Sequence, residues 1–445
     1  MNTPIFDFVK AYAASDTARL HMPGHKGKGA LGVESLDITE IKGADSLFEA
    51  DGIIAQSERN ASELFSAHSF YSTEGSSLAI RAMVYLASLY AKRLGRRPRI
   101  LAARNAHRAF VSAAALADCE VEWLTAKSPL GYLSSGDLLS SFTEYLASDN
   151  IDKLPTALYI TSPDYLGNMQ NIKELARLCH DSGMLLLVDN AHGAYLKFLQ
   201  ESLHPIDLGA DMCSDSAHKT LPALTGAAYL HISRQAPEFL LENARCALSL
   251  FASTSPSYLI LSSLDLLNKS LDNGYRKKIT DFVKKLDICK QRLTNNGYNF
   301  VGNEPMKLTV FAKDYGYTGE ELAESLREKM IECEFADRDF TVLMPTPDSG
   351  DIEAVVDALL GIVRREKILD KAPMLSMPKK AASIREALFS PSELLPIAEC
   401  EGKILADVSV GCPPAVPILF SGEIITKESI AAFKYYGIEK VRVVK

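Results

Sequence analysis

Between residues 99 and 232 the sequence alternates short, unbroken apolar runs with longer amphipathic ones, and few folds accept that pattern. Residues 99–103, 121–124, 157–161, 184–188 and 226–232 read as strands. Residues 78–94, 106–117, 137–147 and 172–181 carry the helical period. A run such as Met184-Leu185-Leu186-Leu187-Val188 has no polar face, so both its sides must be covered. The alternation predicts an α/β fold, a mostly parallel sheet with helices on both faces. Ligands of such sheets sit beyond the carboxyl ends of the strands. His107, Asp189 and the stretch 214–219 fall at or just past such ends.

Around this core the chain divides into four parts. Residues 1–45 form an N-terminal arm, with Ile5, Phe8, Val9 and Tyr12 on one face of a short helix. The loop His21-Met22-Pro23-Gly24-His25 has no carboxylate at ligand spacing, so no metal is expected. Residues 28–60 read as loop-rich and acidic, suited to wrapping over another surface. A large domain spans 46–268, and a smaller α/β lobe spans 269–370. A last segment, 371–445, contains Cys412-Pro413-Pro414-Ala415.

With 445 residues, 47% of them hydrophobic, the chain can bury a large core. A net charge of −8 argues against nucleic-acid binding. No apolar run reaches the length of a membrane span, and Asp7 and Lys10 interrupt any signal-peptide pattern. The eight cysteines form no CxxC pair and read as reduced thiols, so a cytoplasmic location is expected.

Three motifs carry chemistry. In Ser214-Asp215-Ser216-Ala217-His218-Lys219-Thr220 a lysine amine stands among hydroxyls and an imidazole, a setting for imine formation beside an anion. Gly75-Ser76-Ser77 opens a helix and is a ready phosphate seat. Asp189 ends a buried strand, where its carboxylate needs a cation or donor. Each motif alone has an ordinary reading: a surface loop, a serine cap, an Asp helix cap.

Together with Pro23-Gly24-His25-Lys26-Gly27, Asn105-Ala106-His107-Arg108, Asp189-Asn190-Ala191-His192-Gly193 and Ser253-Thr254-Ser255-Pro256-Ser257-Tyr258, their order resembles one family. It is that of the Orn/Lys/Arg decarboxylases, fold-type-I enzymes dependent on pyridoxal 5'-phosphate (PLP), in a short form without the N-terminal wing domain. The resemblance implies an aspartate aminotransferase-like fold and decarboxylation of arginine, lysine or ornithine. It implies Lys219 as the imine-forming lysine, Asp189 on the pyridine nitrogen, and His107 and Ala191 against the ring. Ser76, Ser77, Ser216 and His218 would bind the phosphate, His192 would join the cofactor site, and Ser253 would reach the phosphate of a neighbouring subunit. A homodimer or higher homo-oligomer with shared sites follows.

Two departures stand out. Leu78 replaces a third hydroxyl of the phosphate seat, and Cys412–Ala415 replaces an aromatic-Pro-Pro-Gly at the substrate entrance. Glu423, matching a Pro-Gly-Glu of the family, is the residue expected at the substrate's distal cation. The same Lys/Asp/His set also serves aminotransferases and β-eliminating lyases, and a non-catalytic PLP-fold partner subunit is a third reading.

Overall fold

A computed structural model of the chain describes residues 1–124, 134–147, 154–373, 377–411 and 416–445. Seven strands make the main sheet: β1 (Ala67–Ser72), β2 (Arg99–Ala102), β3 (Glu120–Trp123), β4 (Ala157–Thr161), β5 (Leu185–Asp189), β6 (Met212–Asp215) and β7 (Ala228–Ser233). Their spatial order is β1-β7-β6-β5-β4-β2-β3. From β3 to β6 all pairs are parallel, whereas β7 runs antiparallel to β6 and to β1. Every residue of β4, β5 and β6 is buried. The period-two side-chain alternation divides β5 between two cores. Leu185 and Leu187 join a cluster with Leu78, Met83 and Phe110, while Leu186 and Val188 join one with Leu175 and Phe142. The sheet is thus covered on both faces, as its apolar strands require.

The N-terminal helix Pro4–Ala13 lacks a local side-chain cap. Asp265 supplies one from helix Tyr258–Asp272, accepting from the backbone N–H of Ile5 at 2.9 Å and of Phe6 at 3.0 Å. The expectation of a loop-rich segment over 28–60 needs correction, because residues 53–60 lie in helix Ile53–Phe65. Its buried face includes Ser57 and Glu58, whose partners are Tyr71, Asp265 and Arg245, so apolar periodicity understates it.

A second sheet, antiparallel and in the order β10-β11-β9-β8, forms from β8 (Phe300–Val301), β9 (Leu308–Phe311), β10 (Phe335–Ala336) and β11 (Phe340–Leu343). The last segment builds its own small core from Leu405, Ile418, Leu419, Phe433 and Val443, among others.

One buried ion pair fastens that segment to the main sheet. Arg104, just past β2, donates to Glu423 Oε1 at 2.6 Å and Oε2 at 3.0 Å, and the Phe420 N–H donates to the same carboxylate at 2.8 Å. Phe420 stacks on Trp123 with ring centroids 4.0 Å apart. Glu423 is 3% exposed. Its assignment to a substrate's distal cation is therefore corrected: Arg104 already occupies both carboxylate oxygens.

Breaking a buried pair on one side leaves an uncompensated charge, a loss of about 3–5 kcal/mol. Glu423→Ala should lower stability by that order in urea unfolding. Arg104→Met combined with Glu423→Leu should recover most of it. Additive losses in that double-mutant cycle would show that the two residues do not act as a pair.

Candidate active site

The carboxyl ends of β2, β4, β5 and β6 open onto a cavity of about 310 Å³. Six residues singled out from sequence meet there: Ser76, His107, Asp189, Ala191, His192 and Lys219.

Lys219 lies on the short helix Ala217–Thr220 that follows β6, and its Nζ is 3.2 Å from His192 Nε2. Burial draws the Lys219 amine below the usual lysine range, against the opposing charges of Asp189 and Glu334. Burial also holds the His192 imidazole well below its usual value, and the charges of Lys307, Lys219, His107 and His218 add to this.

Asp189 is 2% exposed at the end of β5. Its carboxylate accepts from Ala191 N–H at 3.2 Å, from the Tyr159 hydroxyl at 3.2 Å and from Ser214 Oγ at 3.4 Å. Among the described residues no cation stands within ion-pair distance of it. His107 caps helix Arg108–Leu116, its Nδ1 accepting from the Ala109 N–H. The surrounding protein and nearby cations, opposed by Asp189, hold its imidazole below the ordinary histidine range.

Two glycines shape the start of the helix expected to seat an anion. Gly75 has φ +70° and precedes helix Ser76–Arg93, leaving the first-turn N–H groups open. Its own N–H donates to Gly226 O at 2.8 Å. Gly226, at φ +96°, admits no side chain, since a Cβ there would lie 2.9 Å from Thr73 O. Ser216 Oγ donates to Ser76 Oγ at 2.9 Å, joining the Lys219 turn to the helix start.

Beneath the cavity lies a fully buried carboxylate, Asp215. Its Oδ1 accepts from Asn190 Nδ2 at 2.7 Å and from Cys213 Sγ at 3.3 Å. Its Oδ2 meets His204 Nε2 at 3.0 Å and His231 Nε2 at 3.4 Å. The carboxylate thus accepts three hydrogen bonds and lies within ion-pair reach of His231 Nε2, which has no hydrogen-bond partner of its own. Burial alone would raise the Asp215 pKa, but the two histidines outweigh it and hold the carboxyl well below its usual range.

Ser77, Ser216 and His218 stand beside the cavity without lining it, and His218 Nδ1 meets Ala227 O at 3.0 Å. Ser253 is exposed and outside the lining, and its N–H donates to Glu74 Oε1 at 2.7 Å. Cys412–Ala415 lies outside the described residues, but Gly411 and Pro417 on either side of it reach the cavity wall.

Thr161, Tyr165 and Ser409 also line the cavity and were not anticipated. Thr161 ends β4 and was open to the strand-end argument that selected Asp189. Tyr165 and Ser409 lie in segments without a periodic signal.

PLP fits this set of side chains. A buried amine can meet an aldehyde, a carboxylate lacking a cation can meet a protonated ring nitrogen, and a helix start with hydroxyls can meet a phosphate. Asn105 Oδ1 lines the same cavity, buried and without a hydrogen-bond partner.

Comparison with known proteins agrees with this geometry. The family described as Orn/Lys/Arg decarboxylase, major domain, matches residues 3–310, and its C-terminal domain matches 364–440. An arginine decarboxylase of Bacillus subtilis is 30% identical over 96% of this chain and 92% of its own length. One from Halalkalibacterium halodurans is also 30% identical, with the same coverage. Among solved structures, the lysine decarboxylase LdcF of Francisella novicida superposes with a TM-score of 0.78 at 18% identity, covering 100% of this chain and 81% of that one.

Proposed function

The chain belongs to the Orn/Lys/Arg decarboxylase family, and from that premise we propose how its residues divide the decarboxylation of a basic amino acid. The observation that carries the reading is the meeting of the Lys219 amine and the Asp189 carboxylate in one cavity at the strand ends. Lys219 would hold PLP through its amine, and Asp189 would keep a proton on the ring nitrogen. Ser76, Ser77, Ser216 and His218 would hold the phosphate, while His107, Ala191 and His192 would pack around the ring. PLP, when bound, supplies an electron sink for the pair released as the bond from Cα to the carboxylate breaks. Tyr165 and Pro417 line the cavity, and in this reading they would limit the access of water to the reacting atoms.

Arginine is the substrate this reading favours, because the relatives matched over nearly the whole chain are named for it. A basic substrate needs an anion at its far end, and Glu423 is engaged elsewhere. We assign that role to Glu334, whose Oε1 accepts from the Tyr165 hydroxyl at 3.0 Å and whose charge reaches Lys219.

The assembly in this reading is a homodimer or higher homo-oligomer whose site takes Ser253 from the partner. An apolar groove supports this: Phe6, Val9, Leu36, Pro222, Leu224 and Leu266 line it, beside the Lys219 turn, and Leu224 is 52% exposed. A cytoplasmic location belongs to this reading, supported by cysteines that are unpaired among the described residues.

Incubated with arginine, lysine and ornithine, the protein should release CO₂ and the matching amine, most rapidly from arginine. A keto acid product would instead indicate an aminotransferase. Borohydride reduction followed by peptide mapping should label Lys219, and Lys219→Ala should abolish CO₂ release; label on another lysine overturns the assignment. Glu334→Gln should raise KM for arginine about fivefold with kcat little changed, the scale of one partly exposed ion pair. An unchanged KM removes Glu334 from the site. Ser253→Ala should weaken PLP affinity, and mixing it with Lys219→Ala chains at limiting PLP should raise activity above either alone. Full activity from a monomer would exclude the shared site.

A further inference from the structure

The small lobe sends one buried cation into the site. Lys307 immediately precedes β9 and is 5% exposed. Its Nζ is 3.2 Å from Asp164 O, 3.1 Å from Tyr165 O and 3.4 Å from His192 Nδ1. Among the described residues no carboxylate lies within ion-pair distance of it. Instead the ammonium is solvated by two carbonyl dipoles and stands 5.9 Å from the centroid of the Tyr165 ring. Gly167 lets the lysine stem pass: a Cβ there would come within 3.4 Å of Lys307 Cδ and 3.1 Å of Glu304 Cγ.

An ammonium has three N–H donors and no lone pair, and Lys307 has three acceptors around it. Two are carbonyls, which only accept. The third N–H therefore points at His192 Nδ1, which must offer its lone pair. A neutral imidazole with Nδ1 as acceptor carries its hydrogen on Nε2. That hydrogen faces Lys219 Nζ at 3.2 Å, and the lysine can receive it only as a free amine.

We propose that Lys307 is a positioning residue: its ammonium pins His192 in the Nε2–H tautomer and aims that hydrogen at the Lys219 lone pair. The chain Lys307–His192–Lys219 then keeps the reactive amine unprotonated and oriented when no cofactor is attached to it. A neutral Lys307 would reverse the order, with Nδ1–H donating to Lys307 and Nε2 accepting from a Lys219 ammonium. The surrounding charges act on each member. Burial draws the Lys307 amine below the usual lysine range, and Glu304, Asp164 and Glu334 oppose that loss of its proton. Burial first, and then the Lys307 charge, hold the His192 imidazole well below its usual range. Asp189 and Glu334 oppose the loss of the Lys219 proton. The inference rests on Lys219 being the reactive amine, as proposed above.

The test uses the full-length chain with cofactor removed and histidine labelled with ¹³C and ¹⁵N, the His192 signal being assigned with His192→Asn. The wild-type spectrum should show the Nε2–H tautomer at His192. In Lys307→Met that preference should be lost, and competitive acetylation read by peptide mass spectrometry should find Lys219 about tenfold less reactive at neutral pH, the size of a one-unit rise in its pKa. Lys307→Arg, which keeps charge and donors, should restore both readings at least in part. An Nδ1–H tautomer in the wild type overturns the proposal even if Lys307→Met fails to fold. Unchanged Lys219 reactivity in a folded Lys307→Met protein overturns it as well. Borohydride labelling of some other lysine would defeat the functional reading while leaving the tautomer result intact, so the two failures are distinguishable.

Discussion

A carboxylate with no contact to solvent, Asp215, holds together the two turns on which the site is built. Asn190 belongs to the turn after β5 that carries Asp189, Ala191 and His192, and it donates directly to Asp215. Ser216 to Lys219 continue from Asp215 itself, so one anion fixes the turn that carries Asp189 relative to the Lys219 amine. Its partners come from the turn after β5, from β6, from β7 and from the loop bearing His204, which ties the position of both turns to the register of the sheet. A buried charge held by three hydrogen bonds tolerates little displacement, since each lost donor exposes the desolvation cost of the ion.

Two further parts, both following that frame in the sequence, close on it. The small lobe contributes Lys307, and the last segment contributes Ser409 and Pro417, held in place by Glu423 on Arg104. Both attachments end in buried cations, and neither cation belongs to the main sheet's apolar core. Lys307 is placed by backbone carbonyls and Arg104 by a bidentate carboxylate.

The sheet was legible because strands buried on both faces must be continuously apolar, and helices covering them must repeat every three to four residues. The residues at strand ends were legible for the same reason: Asp189 and Lys219 interrupt apolar patterns where a ligand would sit. Helix Ile53–Phe65 was harder to read because Ser57 and Glu58 turn inward to polar partners. Glu423 was misplaced because a motif supplies the residue type at a position but not its neighbours, and Arg104 lies more than three hundred residues away. Lys307 left no trace in the sequence: a lysine before a strand is ordinary until folding brings it against His192.

The hydrogen bond from Gly75 to Gly226 has a consequence for what the cavity will accept. Gly226 lies on the stretch between Lys219 and β7, and Gly75 begins the helix whose first turn forms the anion seat. Amine and seat are therefore parts of one hydrogen-bonded unit, closed a second time by Ser216 on Ser76. They cannot drift apart independently, so the spacing between them acts as a ruler. A molecule with its aldehyde and its phosphate at the wrong separation can satisfy one end or the other, but not both. On the function proposed above, selection for the cofactor becomes a measurement of length, made through the backbone of two glycines at positive φ.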